Sequence, residues 1–243
     1  MKTLFYTILF SLGEPKQNLY CHMLTLQLAA LKATKTLKEE DEFYILADAD
    51  TADYLNRVGV PQPAKLIRLP YKPTRLLEGV CFKFLFPKQV QTNGRVCVYL
   101  DLDMLAVREC RFDCAPDTLQ VYPEGLPSDT NYKGNTPFIN LKSGLSSGFF
   151  IYRYGPQVEA LFADIFRRLD AEKEEFYTLE QPHYNHAVDS HLACVRFLDH
   201  RAVSFNGNNN QQTACFYNLC GDPGDGPFHF QKMLAFFVRR FVA

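Results

Sequence analysis

Arg95-Val-Cys-Val-Tyr-Leu-Asp-Leu-Asp-Met-Leu-Ala-Val107 is the most strand-like run in the chain, and two aspartates, Asp101 and Asp103, stand where its apolar stretch ends. Buried apolar runs rarely finish in two carboxylates one residue apart. In an extended segment residues i and i+2 point the same way, so the spacing predicts that both carboxylates face one spot at the edge of a sheet. Like charges that close repel unless a cation or a positive ligand lies between them. The pattern points to a divalent metal site at the C-terminal end of a strand, where open α/β sheets place their ligands. A diphosphate is the group such a metal would hold.

Outward from this run, further strand-like stretches cover residues 3–10, 43–47, 65–69, 118–122, 148–153 and 194–198. Helical periodicity fills the gaps. Tyr20, Met23, Leu24, Leu28 and Leu31 share one face, Val158, Leu161, Phe162, Ile165, Phe166 and Leu169 another, and Phe230, Met233, Leu234, Phe237, Val238 and Phe241 a third. These stripes read as core. Strands alternating with helices predict an α/β fold, Rossmann-like, with a central, mostly parallel sheet flanked by helices. Residues 123–145 and 206–212 are polar and turn-rich, the composition of a binding edge or a lid. There is no repeat and no linker, and 243 residues suit one domain spanning 1–243.

The balance of 26 basic and 27 acidic residues leaves a formal charge of −1, which argues against a nucleic-acid partner. The apolar start, residues 4–10, is short and runs into the turn Ser11-Leu-Gly-Glu-Pro-Lys16 without a small-residue cleavage site, so it reads as a first core strand. No run is long enough to form a transmembrane segment. Among the eight cysteines, Cys81 and Cys97 lie in apolar runs, while Cys110 and Cys114 have metal-like spacing without a second close pair, since Cys215 and Cys220 are five apart. Reduced thiols in a cytoplasmic protein are the expectation.

Three motifs follow the Asp pair in order: Ser146-Ser-Gly-Phe-Phe-Ile-Tyr152, Glu180-Gln-Pro-His-Tyr-Asn185, and His229-Phe230 at the start of the last amphipathic stretch. With Tyr99-Leu100-Asp101-Leu102-Asp103 this series resembles the GT-A fold glycosyltransferases of family 8, the glycogenin-like nucleotide-diphospho-sugar transferases. Their pattern is Tyr-Leu-Asp-x-Asp, Asn-Ser-Gly, Asp-Gln-x-x-x-Asn and His-Phe. Here Ser146 replaces the Asn and Glu180 the Asp, and Gln231-Lys232-Met233 stands where the family continues Gly-x-x-Lys-Pro-Trp.

The resemblance implies a hexosyltransferase that takes a sugar from a nucleotide diphosphate, UDP-sugar by family analogy, to a glycan or other hydroxyl acceptor with retained anomeric configuration. Residues 1–107 would form the nucleotide-binding half and 108–243 the sugar and acceptor half. Asp101, Asp103 and His229 would hold Mn²⁺ or Mg²⁺, and two carboxylates with one imidazole suit Mn²⁺ better. Gln181 and Glu180 would lie beside the anomeric carbon, Gln181 orienting the donor and Glu180 bonding its hydroxyls, with Asp103 as the metal-holding catalytic carboxylate. Ser147, Gly148 and Asn185 would contact the donor. Lys83 either reaches the donor or is a snorkelling surface lysine on an apolar helix. Phe10, Ser11 and Leu12 after the first strand, and Asp48 after the second, are the positions expected near the nucleotide; Asp48 equally suits a helix N-cap.

Two other classes compete. Asp101-Leu-Asp-Met-Leu-Ala-Val107 also resembles the nucleophile motif of haloacid-dehalogenase-type phosphatases, in which the first Asp attacks phosphorus. That motif follows the first strand of its fold, whereas three strand-like runs precede it here, and Gly221-Asp222-Pro-Gly-Asp225 is a turn unlike that family's late metal motif. A module that binds nucleotide sugar without turnover is the non-enzymatic alternative. An inverting mechanism would require a general base such as Asp189.

Overall fold

The structure is a computed structural model that describes residues 2–123, 144–171, 179–199, 202–205, 213–219 and 226–242. The polar stretch 206–212, the Gly221–Asp225 turn and nearly all of the turn-rich stretch 123–145 therefore lie outside the described residues. Described strands are β1 (Thr3–Leu9), β2 (Glu42–Ala47), β3 (Lys65–Arg68), β4 (Val96–Leu100), β5 (Met104–Ala106), β6 (Thr118–Pro123), β7 (Leu145–Arg153), β8 (Val195–Phe197), β9 (Val203–Phe205) and β10 (Phe216–Asn218). The helices are α1 (Tyr20–Ala33), α2 (Ala49–Val58), α3 (Leu76–Val80), α4 (Phe86–Gln89), α5 (Pro156–Ala171), α6 (Gln181–Ser190) and α7 (Gly226–Phe241).

Seven strands form one sheet in the order β3-β2-β1-β4-β7-β6-β8. Every neighbouring pair is parallel except those made by β7, which runs antiparallel to both β4 and β6. The central strands are apolar on both faces because helices cover both, as expected for parallel strands fed by crossovers. On one face Phe5, Phe43, Ile45 and Val98 pack against Leu24, Leu28 and Leu31 of α1 and Ala52 and Leu55 of α2. On the other, Leu4, Tyr6, Tyr99 and Phe150 meet Phe84, Phe86 and the stripes of α5 and α6. Aromatic stacking is dense there; Tyr6 lies flat on Phe86 at 4.0 Å and Tyr99 stacks on Phe150 at 5.0 Å.

A second sheet, β5-β10-β9, grows from the chain just past Asp103. Its residues Leu105 and Tyr217 form a third cluster with Met23 and Ala30 of α1 and Met233 of α7. α7 thus rests on α1 and the small sheet, which carries its N-terminal turn back to the end of β4. Among the described residues no helix is long and apolar enough to cross a membrane.

Strand order reverses between β1 and β4: β2 and β3 continue on one side of β1, while β4 and β7 lie on the other. Loops leaving adjacent parallel strands in opposite directions open a crevice at their carboxyl ends. Leu9 ends β1 and Leu100 ends β4, so the predicted nucleotide loop and the Asp pair meet at this crevice.

Candidate functional site

A cavity of about 540 Å³ fills the crevice. Residues 8–14, at the end of β1 and in the loop after it, line it with Asp101, Leu102 and Asp103 after β4 and with Tyr20, Leu76, Val80, Leu179 and His229. Of the residues expected to act, Phe10, Ser11, Leu12, Asp101, Asp103 and His229 therefore line one space. Phe10 packs against Gly79 so closely that a Cβ there would come within 2.2 Å of its ring.

The Asp pair is not extended, as its spacing predicted. β4 ends at Leu100, and Asp101 to Met104 form a turn closed by the Met104 N–H donating to the Asp101 carbonyl at 3.1 Å. The turn is imposed from outside. Gln27, buried in α1, donates to the carbonyls of Asp101 at 2.6 Å and Met104 at 3.2 Å, and the Leu219 N–H donates to the Asp103 carbonyl at 3.0 Å. Both carboxylates still reach the cavity, through turn geometry instead of the pleat.

Behind Asp101 lies a buried ionic cluster. Lys83 is no surface lysine: its side chain is 2% exposed, its Nζ donates to Glu180 Oε1 at 2.7 Å and to the Ser147 carbonyl at 3.1 Å, and it stands 3.9 Å from Asp101 Oδ1. The Ser147 hydroxyl donates to the same Glu180 oxygen at 2.6 Å, and the Tyr99 hydroxyl donates to Asp101 Oδ1. Burial alone would push the Lys83 pKa down, but the Asp101 and Glu180 carboxylates outweigh it and push it up, so the ammonium stays charged. Gly148 sits against Asp101 because any side chain would collide: a Cβ would lie 2.6 Å from Asp101 Oδ2.

The Asp carboxylates sit deep in the protein yet face the space in the crevice, and the Asp101 side chain is 37% exposed. Burial raises the Asp101 pKa against the opposing pull of Lys83 and Tyr99. Burial first, then the Asp101 charge, pushes Asp103 up to about 7. Asp103 Oδ1 is buried without a hydrogen-bond partner among the described residues. Asp101 and Glu180 thus stand against the Lys83 ammonium, and Asp103 lies within electrostatic reach of it. Lys232, one turn after His229 in α7, lies near enough to favour ionised Asp103.

His229, 4% exposed, occupies the first turn of α7, and its Nδ1 lies 3.3 Å from the Tyr20 hydroxyl. Two carboxyls and an imidazole line one cavity, donor types that suit a divalent cation once the carboxyls are ionised. Among the described residues no three His, Cys, Asp or Glu side chains are gathered into a ready-made cage.

The remaining expected residues stand off the cavity wall. Asp48 is fully buried at the N-cap position of α2, where burial raises its pKa; it faces Thr51 and the Ser11 amide without closing a hydrogen bond of standard geometry. Glu180 turns inward to Lys83 and Ser147, and Gln181 opens α6 half-buried. The Asn185 side chain bonds both backbone groups of Leu145, at 2.9 and 3.0 Å, fastening α6 to β7. Leu179, which lines the cavity, holds φ at +54°, a left-handed conformation that costs a leucine about 1–2 kcal/mol and aims the next residue, Glu180, inward. Sequence reading missed Tyr20, Asn18 and Gln27, whose roles depend on α1 packing beside β4. Lys232 was visible, but only its place on α7 relates it to Asp103.

Comparison of the chain with protein-family models and with curated proteins finds no match.

Proposed function

We propose that this chain is a metal-dependent glycosyltransferase of the GT-A type, moving a hexose-type sugar from a nucleotide diphosphate, UDP-sugar first, to a hydroxyl of a glycan or other acceptor. One observation carries the reading: Asp101, Asp103 and His229, from two distant parts of the chain, line a single cavity at the strand-order reversal, beside the loop after β1. That is where an α/β sheet binds nucleotides. Among the described lining residues there is no lysine or arginine, so a diphosphate there needs its charge balanced by something else. Mn²⁺, or Mg²⁺, held by Asp101, Asp103 and His229 would supply that charge and assist departure of the nucleotide diphosphate as a Lewis acid.

The chain's own residues do the rest. Tyr20 orients the His229 ring through Nδ1. Lys83 holds Glu180 beside Ser147 and offsets the Asp101 charge, and Gly148 leaves room for the Asp101 carboxylate. Phe10, Ser11 and Leu12 shape the wall for the nucleoside, and the largely apolar lining disfavours water beside the activated sugar. Glu180, bonded to Lys83 and Ser147, serves to position these groups and not to attack. The phosphatase reading fits less well, because β1, β2 and β3 all precede the Asp pair.

The test is a thermal-shift screen of nucleotide sugars with and without Mn²⁺, followed by chromatography for slow release of free nucleotide. A donor at a hundred times its dissociation constant stabilises by about 2.7 kcal/mol. Stabilisation that requires both Mn²⁺ and a nucleotide sugar, with nucleotide release, supports the proposal. Stabilisation without release supports a binding module, and no response to any nucleotide sugar overturns both.

A further inference from the structure

Cys110 lies just past β5 and Cys215 just before β10, the two paired strands of the small sheet. In the antiparallel β5–β10 ladder Phe216 lies opposite Ala106, and the Val107 N–H donates to the Cys215 carbonyl at 2.9 Å. The chain then folds back after Val107: the Cys110 N–H donates to Thr36 Oγ1 at 3.2 Å and its thiol to the Arg108 carbonyl at 3.3 Å. Stacking of Phe112 on Phe216 at 6.1 Å holds the two segments together from the other side. Both sulfurs belong to the same apolar cluster, and each lies within interaction reach of the other. Cys110 is buried, whereas Cys215 is partly exposed and open to reagents.

We propose that Cys110 and Cys215 form a dithiol site that a low-molecular-weight disulfide such as oxidised glutathione converts to an intramolecular disulfide. The electronic setting supports this order of events. Interaction with the neighbouring Cys110, opposed by burial and helped by the Arg108 guanidinium, pulls the Cys215 thiol down to about 7, while Cys215 pushes Cys110 up. Cys21, Cys81, Cys97, Cys114 and Cys194 are instead all pushed up, by burial first. Cys215 is thus the thiolate that attacks, and Cys110 is placed to resolve.

The exchange balances. Cys215 thiolate attacks one sulfur of glutathione disulfide, forming a mixed disulfide and releasing one glutathione thiolate. Cys110, after losing its proton, attacks the Cys215 sulfur and expels the second. Two protein thiols give up two electrons, the glutathione disulfide takes them, and both protons end on glutathione. The new bond ties the segment leaving the Asp101–Met104 turn to β10, whose continuation at Leu219 holds the Asp103 carbonyl. The crosslink would therefore brace the platform under Asp103 and α7.

The experiment equilibrates the intact chain with reduced and oxidised glutathione at several ratios, blocks free thiols by alkylation and maps peptides by mass spectrometry. The expected result is a Cys110–Cys215 linked peptide with loss of both thiols from alkylation, at ratios that leave Cys81 and Cys97 alkylatable after denaturation. In Cys110→Ala the expected product is glutathione trapped on Cys215. The proposal is overturned if Cys215 pairs with Cys220 or another cysteine, or if both thiols stay free while a small reference dithiol in the same tube is oxidised. The wild-type map alone decides the linkage, so a variant that fails to fold does not rescue the idea. The readout is independent of whether the chain transfers sugar.

Discussion

The Tyr20 hydroxyl, in the first turn of α1, lies 3.3 Å from Nδ1 of His229, in the first turn of α7, across a sequence separation of 209 residues. Asn18 extends the connection, donating from Nδ2 to the Phe10 carbonyl at 2.6 Å and accepting the Tyr20 N–H at 3.0 Å. The end of β1 and the starts of α1 and α7 are therefore one bonded unit on the cavity wall. A partner on one ring nitrogen fixes the tautomer and direction of the other, which is how metal-binding imidazoles are usually held.

Tyr20→Phe keeps the ring packed against His229 and deletes only the hydroxyl. We expect a stability loss of about 1 kcal/mol or less. Affinity for Mn²⁺, measured by titration calorimetry, should fall by about tenfold or more. Wild-type affinity in this variant would show that Tyr20 does not orient a metal-binding ring.

Asp103→Asn should change how stability depends on pH in the metal-free protein. With its pKa pushed from an ordinary value of about 3.9 to about 7, native Asp103 holds a proton that the unfolded chain has released. The native state then binds more protons between about pH 4 and pH 7, so stability falls as pH rises through that window. Asparagine removes this loss. Melting curves in chelator should show wild type losing ground to the variant from pH 5 to pH 7.5, with Mn²⁺ binding abolished in the variant. Parallel curves for the two proteins would mean that Asp103 titrates normally.

Lys83→Met leaves Glu180 and Asp101 facing each other without their cation. Removing one partner of a buried ion pair costs about 3–5 kcal/mol, and denaturant melts should show a loss of that size. Adding Glu180→Gln should recover much of it, because glutamine retains the bond from Ser147 without a charge. An unaltered midpoint in Lys83→Met would deny the cluster any structural role.

The main sheet was legible because its central strands are apolar on both faces. The seven runs read as strands, from residues 3–10 to 194–198, are the seven strands of the large sheet, with ends shifted by a few residues. The stripes of α1 and α5 were equally plain, whereas in α7 only Met233 of the stripe is fully buried, and Leu234 and Val238, expected in the core, are exposed. β9 and β10 were missed because each is three residues long and borders polar sequence, and β5 falls inside the Arg95–Val107 run without being set apart from β4. The site was legible in part. Asp101, Asp103 and His229 could be named from motif order, but the turn at Asp101–Met104 could not, because Gln27 and Leu219 impose it from distant segments. The role of Lys83 was ambiguous for the same reason: an apolar helix with one lysine has no way to announce the carboxylates that arrive from β4 and the start of α6.

Gly148→Ala tests how closely the site is built. β7 runs antiparallel beside β4, with Phe149 opposite Leu100, and the Asp101 N–H donates to the Gly148 carbonyl at 2.9 Å. At that approach a Cβ on residue 148 would lie 2.6 Å from Asp101 Oδ2 and 3.3 Å from Ser146 Oγ. The hydroxyl contact can relax. The carboxylate cannot swing away freely, since Tyr99 holds its other oxygen and Lys83 stands 3.9 Å from it. The variant must either break the Tyr99 bond or push β7 outward. A small overpacking of this kind costs about 1–3 kcal/mol, so the protein should fold with a modestly lowered melting temperature. The larger effect should fall on the ligand: Mn²⁺ affinity and any Mn²⁺-dependent nucleotide release should drop together, by more than the stability loss explains. If Gly148→Ala binds Mn²⁺ as wild type does, the Asp101 carboxylate is not a ligand and the two-aspartate site is wrong.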